Sequence, residues 1–221
     1  VSSLATLSVY LVPLIALLLS YEAFAGERER GTLPLLLTYP VRRQEIVIGK
    51  FMAQLAALSI CIAAGYGLAV LALWIAGAGG LNGLDHLLRL TMGSLALGAT
   101  FIAIGFCLSI ITRRPATAAS LAIAVWLMLV VLLDIALLGA LVADDNGVFT
   151  KSVFPWLMIA SPTDAFRLVT LAPLDPAMVE TGLGGVAGSL GRSGALATVS
   201  LLIWPVLALA AAGALFRRAE P

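Results

Sequence analysis

The chain has 221 residues, 61% of them hydrophobic and 11% charged, with a net charge of +1 and a mean hydropathy of +1.07. A soluble domain carries about 25% charged residues, so this composition excludes a water-covered globule and a nucleic-acid-binding role. The few charges matter by position.

A helix needs about 20 apolar residues to cross a hydrocarbon core of roughly 30 Å. Five segments meet this: Leu4 to Tyr21, Phe51 to Ala76, Leu90 to Ile111, Ala116 to Val142 and Ala195 to Phe216. Lipid gives an unpaired backbone amide no partner, so each is predicted to be helical. None alternates polar and apolar residues as a barrel strand does. The expected fold is an all-α polytopic membrane protein with a single transmembrane domain.

The first span contains Pro13, which frees a backbone carbonyl. The connection from Glu22 to Lys50 then gathers nine charged residues into one short stretch between two spans. Glu27, Arg28, Glu29 and Arg30 lead in; Arg42, Arg43 and Glu45 lead out. Between them Thr32 is a competent N-cap, Leu33-Pro-Leu-Leu-Leu37 gives a short apolar helix, and Pro40 ends it. An apolar helix with a charged rim suits a groove on a soluble partner. A solvated loop whose arginines meet anionic headgroups is the plainer reading, but it needs only the charges and leaves the leucines without a purpose.

On the span Leu90 to Ile111, Ser94, Gly98, Gly105 and Ser109 share one helical face. Small residues in that register let helices approach closely, as a seam within the bundle or between two copies. The tight turn Thr112-Arg-Arg-Pro115 follows. In the next span Asp134 stands among leucines and valines, where a carboxylate is costly. It is either a polar element of a pathway or a side chain that pins one helix to another, and the sequence shows no partner. An intramembrane enzyme or scaffold built on Asp134 and Glu22 is the reading from another class.

In the long segment Ala143 to Gly194, Ser161, Pro162 and Asp164 fit the start of a capped helix. Asp164 and Arg167 are spaced to pair, and Trp156 and Phe166 suit membrane-interface anchors. An interfacial helix explains these residues; a docking site for an external partner, formed by Ser161, Pro162, Asp164, Phe166 and Arg167, is the functional alternative. Gly182 to Gly194 reads as a flexible connector. Pro205 lies inside the last span.

One set of connections holds Arg28, Arg30, Arg42, Arg43, Lys50, Arg113, Arg114, Arg217 and Arg218; the other holds only Arg89, Lys151, Arg167 and Arg192. The positive-inside bias puts the richer set in the cytoplasm. Val1 then lies outside, so a further span is expected upstream of it, completing six.

No phosphate-binding loop is present, so nucleotide hydrolysis by this chain is not expected, nor any catalytic residue. His86 stands alone, while Cys61, Cys107 and the methionines do not cluster as metal ligands do. Neither a metal site nor a disulfide is expected.

The run Gly26-Glu-x-Glu-x-Gly-Thr-Leu-x-x-Leu-Leu37, with Pro40, Arg42, Arg43 and Gly49-Lys50, resembles the cytoplasmic coupling segment of ABC-2 type exporter permeases. Tyr21-Glu22, Leu37-Thr-Tyr-Pro40, Pro155-Trp-Leu, Ser161-Pro-Thr-Asp-x-Phe-Arg-Leu168 and Phe216-Arg-Arg218 are similar, more narrowly, to the permeases of nitrous oxide reductase maturation. Those permeases begin with an interfacial helix and a first span that do not appear in these residues. The resemblance implies a six-helix bundle with a cytoplasmic coupling helix and an extracytoplasmic helical segment, in the bacterial inner membrane. It implies a complex of two permease copies with a cytoplasmic ATPase dimer, which binds ATP and Mg, while this chain holds no cofactor. By that resemblance Glu27, Glu29, Gly31, Thr32, Leu33, Leu36, Leu37, Pro40, Arg42 and Arg43 couple to the ATPase. A periplasmic accessory protein would be the outer partner. With no soft-ligand path, a sulfur species or mechanical signalling is expected rather than copper transport. An ABC-2 exporter of a lipid, glycan or drug is the alternative.

Overall fold

The computed structural model describes residues 2–33, 42–75, 84–143, 154–170 and 193–218. Among these there is no strand, and five helices are long and apolar enough to cross a membrane. The elements are α1 (Ser2–Ser20), α2 (Glu22–Glu29), α3 (Arg43–Ile75), α4 (Leu84–Ile111), α5 (Pro115–Trp126), a π-helical stretch (Leu127–Leu132), α6 (Leu133–Val142), α7 (Phe154–Ala160), α8 (Pro162–Thr170) and α9 (Ser193–Arg218).

α4 is the central helix, packed against α1, α3, α8 and α9. Its small-residue face makes this possible, and the seam lies within the bundle. Gly98 meets Leu58 of α3 and Val12 of α1, and Gly105 lies against Ser20 and Leu17 of α1. A Cβ at Gly105 would overlap Ser20 Oγ. Ser94 and Ser109 are fully buried on the same face.

The spans extend further than the hydropathy pattern implies. Tyr21 keeps helical backbone angles, so α1 runs almost directly into α2, and the first span reaches Glu29. Burial of Phe24, Ala25 and Gly26 keeps these turns helical although the flanking residues are charged. α3 begins at Arg43, where the N–H of Arg42 donates to Glu45 Oε2 at 3.0 Å, one half of a capping box. Its 33 residues make a helix about 50 Å long, so its first turns stand clear of the hydrocarbon.

α2 ends on Gly31, whose φ of +69° is one glycine adopts without strain. The N–H of Thr32 donates to Glu27 O at 2.9 Å and that of Gly31 to Arg28 O at 3.2 Å. This Schellman pair ends α2 and changes the direction of the chain. Four phenylalanines from four helices pack at the same end: Phe24 on Phe106 at 5.3 Å and on Phe216 at 4.8 Å, and Phe51 on Phe106 at 6.4 Å.

Candidate functional site

At the inner end, the near-break at Tyr21 leaves backbone groups that α1 and α2 cannot satisfy internally. Neighbouring helices supply the partners. Ser109 Oγ of α4 accepts from the amides of Phe24 and Ala25, both at 3.0 Å. Gln54 of α3 donates to Leu19 O at 3.0 Å, and Lys50 donates to Ala23 O. Lys50 also pairs with Glu27 at 2.6 Å and lies over the Phe24 ring.

Two arginines then tie the flanks of the connection to two different helices. Arg28 of α2 donates to Ile110 O at 3.1 Å and Thr112 O at 2.7 Å, capping the C-terminus of α4. Arg43 of α3 donates to Phe216 O at 3.1 Å and Arg217 O at 3.4 Å, capping α9. A cation at a helix C-terminus also meets the negative end of the helix dipole.

The expected coupling residues therefore divide. Glu29, Gly31, Thr32 and Arg42 are exposed, whereas Glu27, Leu33 and Arg43 are built into the bundle, Leu33 being only 2% exposed. Thr32 Oγ1 donates to Glu27 O at 3.2 Å, so it finishes α2; most of the segment it was expected to cap lies outside the described residues. Leu36, Leu37 and Pro40 lie outside the described residues.

At the outer end Asp134 has the partner the sequence did not reveal. Arg167 of α8 grips it with two hydrogen bonds, each 2.6 Å. Arg167 also donates to Asp164 Oδ1 at 3.3 Å and to the Tyr10 hydroxyl at 3.4 Å. These bonds join the span that carries Asp134 to α8. The π-helical stretch explains how it reaches α8. The buried positions upstream are Ala118 and Ala122, and at 3.6 residues per turn Asp134 would sit about 160° away from Ala118. The wider π turn takes in extra residues and brings it back toward the bundle.

Ser161 Oγ accepts from the Asp164 amide at 3.4 Å, so the expected cap is present. The expected docking face is otherwise disposed. Ser161, Pro162, Asp164 and Phe166 are buried and Arg167 is partly buried, because α8 packs on α4 and α9. Phe166 is no interface anchor: it is fully buried, with Gly93 beneath it. Trp156 is exposed, as an anchor would be. On the inner side of the outer end, Trp204 of α9 donates to Ala160 O at 2.8 Å and Ser200 to Ile159 O.

Glu22 bonds the Tyr21 hydroxyl and pairs loosely with Arg30 at 3.8 Å, in a network separate from that of Asp134. A hydrogen-bonded trio of Ser8, Tyr66 and Ser94 ties α1, α3 and α4 together at 2.6 and 2.7 Å. Among the described residues no group of three His, Cys, Asp or Glu side chains is placed to hold a metal ion. Cys107 donates to Ala208 O at 3.5 Å, and Cys61 is exposed.

A helical bundle with five membrane-length helices, a charged connection at one end and a short helix bonded to it at the other is that of a multi-pass membrane protein. Residues 5–220 match the family described as ABC-2 family transporter protein, and the chain belongs to that family. It is 37% identical over 220 residues to the "Probable ABC transporter permease protein NosY" of Stutzerimonas stutzeri, covering 99% of this chain and 79% of that protein. The protein of the same name from Pseudomonas aeruginosa is 38% identical over 228 residues, with the same coverage. As permeases of this family work with an ATPase, the chain is the membrane subunit of an ABC transporter.

Proposed function

We propose that this chain sits in the bacterial inner membrane and transmits the nucleotide-driven motion of a cytoplasmic ATPase dimer toward periplasmic assembly of the copper centre of nitrous oxide reductase. The assembly would hold two copies of this chain, and an accessory protein would meet it outside. The single observation that carries the transmission role is the pair of anchors on either flank of residues 30–42. Arg28 holds the end of α4, and Arg43 holds the end of α9. A load on this connection would therefore fall on those two helices. They pack against each other along the bundle, and both bear on α8 at the far end. The maturation role is supported by the likeness to the two NosY permeases and by the motifs shared with that group.

The test is nitrous oxide accumulation during anaerobic growth on nitrate, with the gene deleted and then restored. The reading expects accumulation that the intact gene reverses and a copy with Thr32 to Leu37 scrambled does not. Unchanged nitrous oxide reduction in the deletion strain would overturn the maturation role.

One observation favours a second reading. An open apolar groove of about 400 Å³ lies on the surface between α3, α4 and α9, lined by Phe51, Leu55, Met92, Leu95, Leu202 and Val206. This is within the size range of small-ligand pockets and suits an exporter of an apolar cargo such as a lipid. Such an exporter would leave nitrous oxide reduction intact.

A further inference from the structure

The cluster at the outer end holds two carboxyl groups and one guanidinium. Asp134 uses both oxygens on Arg167, each at 2.6 Å. Asp164 reaches the same guanidinium only through Oδ1, at 3.3 Å. Its second oxygen, Oδ2, is buried and has no hydrogen-bond partner, and the residue is 1% exposed. With both carboxyls ionised the cluster carries an excess negative charge, and at Asp164, 1% exposed, water does not reach it. A proton on Asp164 would make it neutral.

We propose that Asp164 is a proton-binding site and that Asp134, Arg167 and Asp164 form a proton-operated latch holding α8 against the bundle. Burying an unpaired charge is costly, so a carboxyl in this setting takes a proton instead. Burial is the largest influence on Asp164 and pushes its pKa up to about 6, against the pull of Arg167 and Ser161 and with the push of Asp134. For Arg167, burial works against the charge, but the bonds and charge of Asp134 outweigh it and hold its pKa above the ordinary arginine value.

The surrounding elements add little opposing charge. α6 brings Asp134 and α1 brings Tyr10, which touches Arg167. α4 carries Asp85, His86 and Arg89 at its outer end, and neither His86 nor Arg89 is among the bonded partners of Asp164. α7 has no titratable side chain, and those of α9 are Arg217 and Arg218 at its far end. Stability contributed by a group with a raised folded pKa is fully present below the unfolded value and lost as pH rises through the folded value. The latch is thus firm in acid, loosens as pH climbs from the ordinary carboxylate value of 3.8 to about 6, and stays loose above it. α8 carries Phe166 and Thr170 against Gly93 of α4, so loosening it frees the outer end of the central helix.

The test is an infrared titration of the full chain in lipid nanodiscs, from about pH 4 to about pH 8, following the carbonyl band of protonated carboxyls. A band with a midpoint near pH 6 is expected, and Asp164→Asn should abolish it. At one pH unit above the midpoint the protonated population should have fallen to about a tenth. Hydrogen exchange of residues 162–170, corrected for intrinsic rates, should rise over the same range in the wild type and stay flat in Asp164→Asn. A midpoint at the ordinary carboxylate value, or a band that survives in Asp164→Asn, would overturn the proton site. Exchange independent of pH in the wild type would overturn the latch. The wild-type titration and exchange decide both points even where the variant fails to fold.

Discussion

Arg167 and Asp134, 33 residues apart, meet in a two-bond ion pair at 2.6 Å, and the pair fastens α8 to the span that ends at Val142. Removing the cation alone leaves two carboxyls stranded around it. Breaking one side of a buried pair costs about 3–5 kcal/mol. Here both side chains keep some exposure, 16% and 20%, which places the loss toward the lower end. Arg167→Met should lower the thermal midpoint of the purified protein, and adding Asp134→Asn should recover part of it. Two single variants whose effects simply add would show that the pair is not coupled.

The tight seam on α4 gives a steric prediction. Gly105→Ala would drive a methyl group into Ser20 Oγ, which is itself bonded to Ala16 O at 2.7 Å and cannot move freely. Overpacking of this kind costs about 1–3 kcal/mol. Gly49→Ala, at a helical site with nothing within 4 Å, is the matched control and should be neutral or slightly stabilising. Equal melting of the two variants would mean that the helices do not approach at Gly105 as described.

Arg28 serves both stability and transmission. Arg28→Met removes two charge-assisted hydrogen bonds to the end of α4, worth about 1.5–3 kcal/mol each before the side chain's partial exposure is discounted. In the maturation reading it should also reduce nitrous oxide consumption while the ATPase still co-purifies. Full activity in a stable Arg28→Met protein would remove this arginine from the path of the stroke.

The exposed residues of the connection should behave in the opposite way. Glu29→Ala and Arg42→Ala lie at the surface, where substitutions usually change stability by no more than about 0.5 kcal/mol. Their effect should appear in recovery of the ATPase with the tagged permease. Undiminished recovery with both changed together would place the contact elsewhere.

The sequence by itself determined the class. Composition and five apolar runs without barrel-strand alternation required a helical membrane bundle, because in lipid only helices and closed barrels leave no amide unpaired. Local signals also survived folding: the cap at Ser161, the spacing of Asp164 and Arg167, and the small face of α4 depend on residues close in sequence. Helix ends were less legible. Hydropathy marks where lipid ends, whereas α2 and the start of α3 continue because packing and capping reward them outside it.

Only the tertiary structure decided which charges face outward and which hold the bundle together. Glu27, Arg28, Arg43 and Lys50 read as one charged connection with Glu29 and Arg42, yet among the described residues the first four bond across helices and the last two do not. The partner of Asp134 was hidden for the same reason. It depends on a π turn that re-aims the carboxylate and on the packing of α8 against α4 and α9, and neither is written in residues near Asp134. A lone intramembrane carboxylate does announce that it needs a polar partner or a proton. Which arginine answers it is a property of the assembled helices, because ion pairs depend on distance in space rather than along the chain.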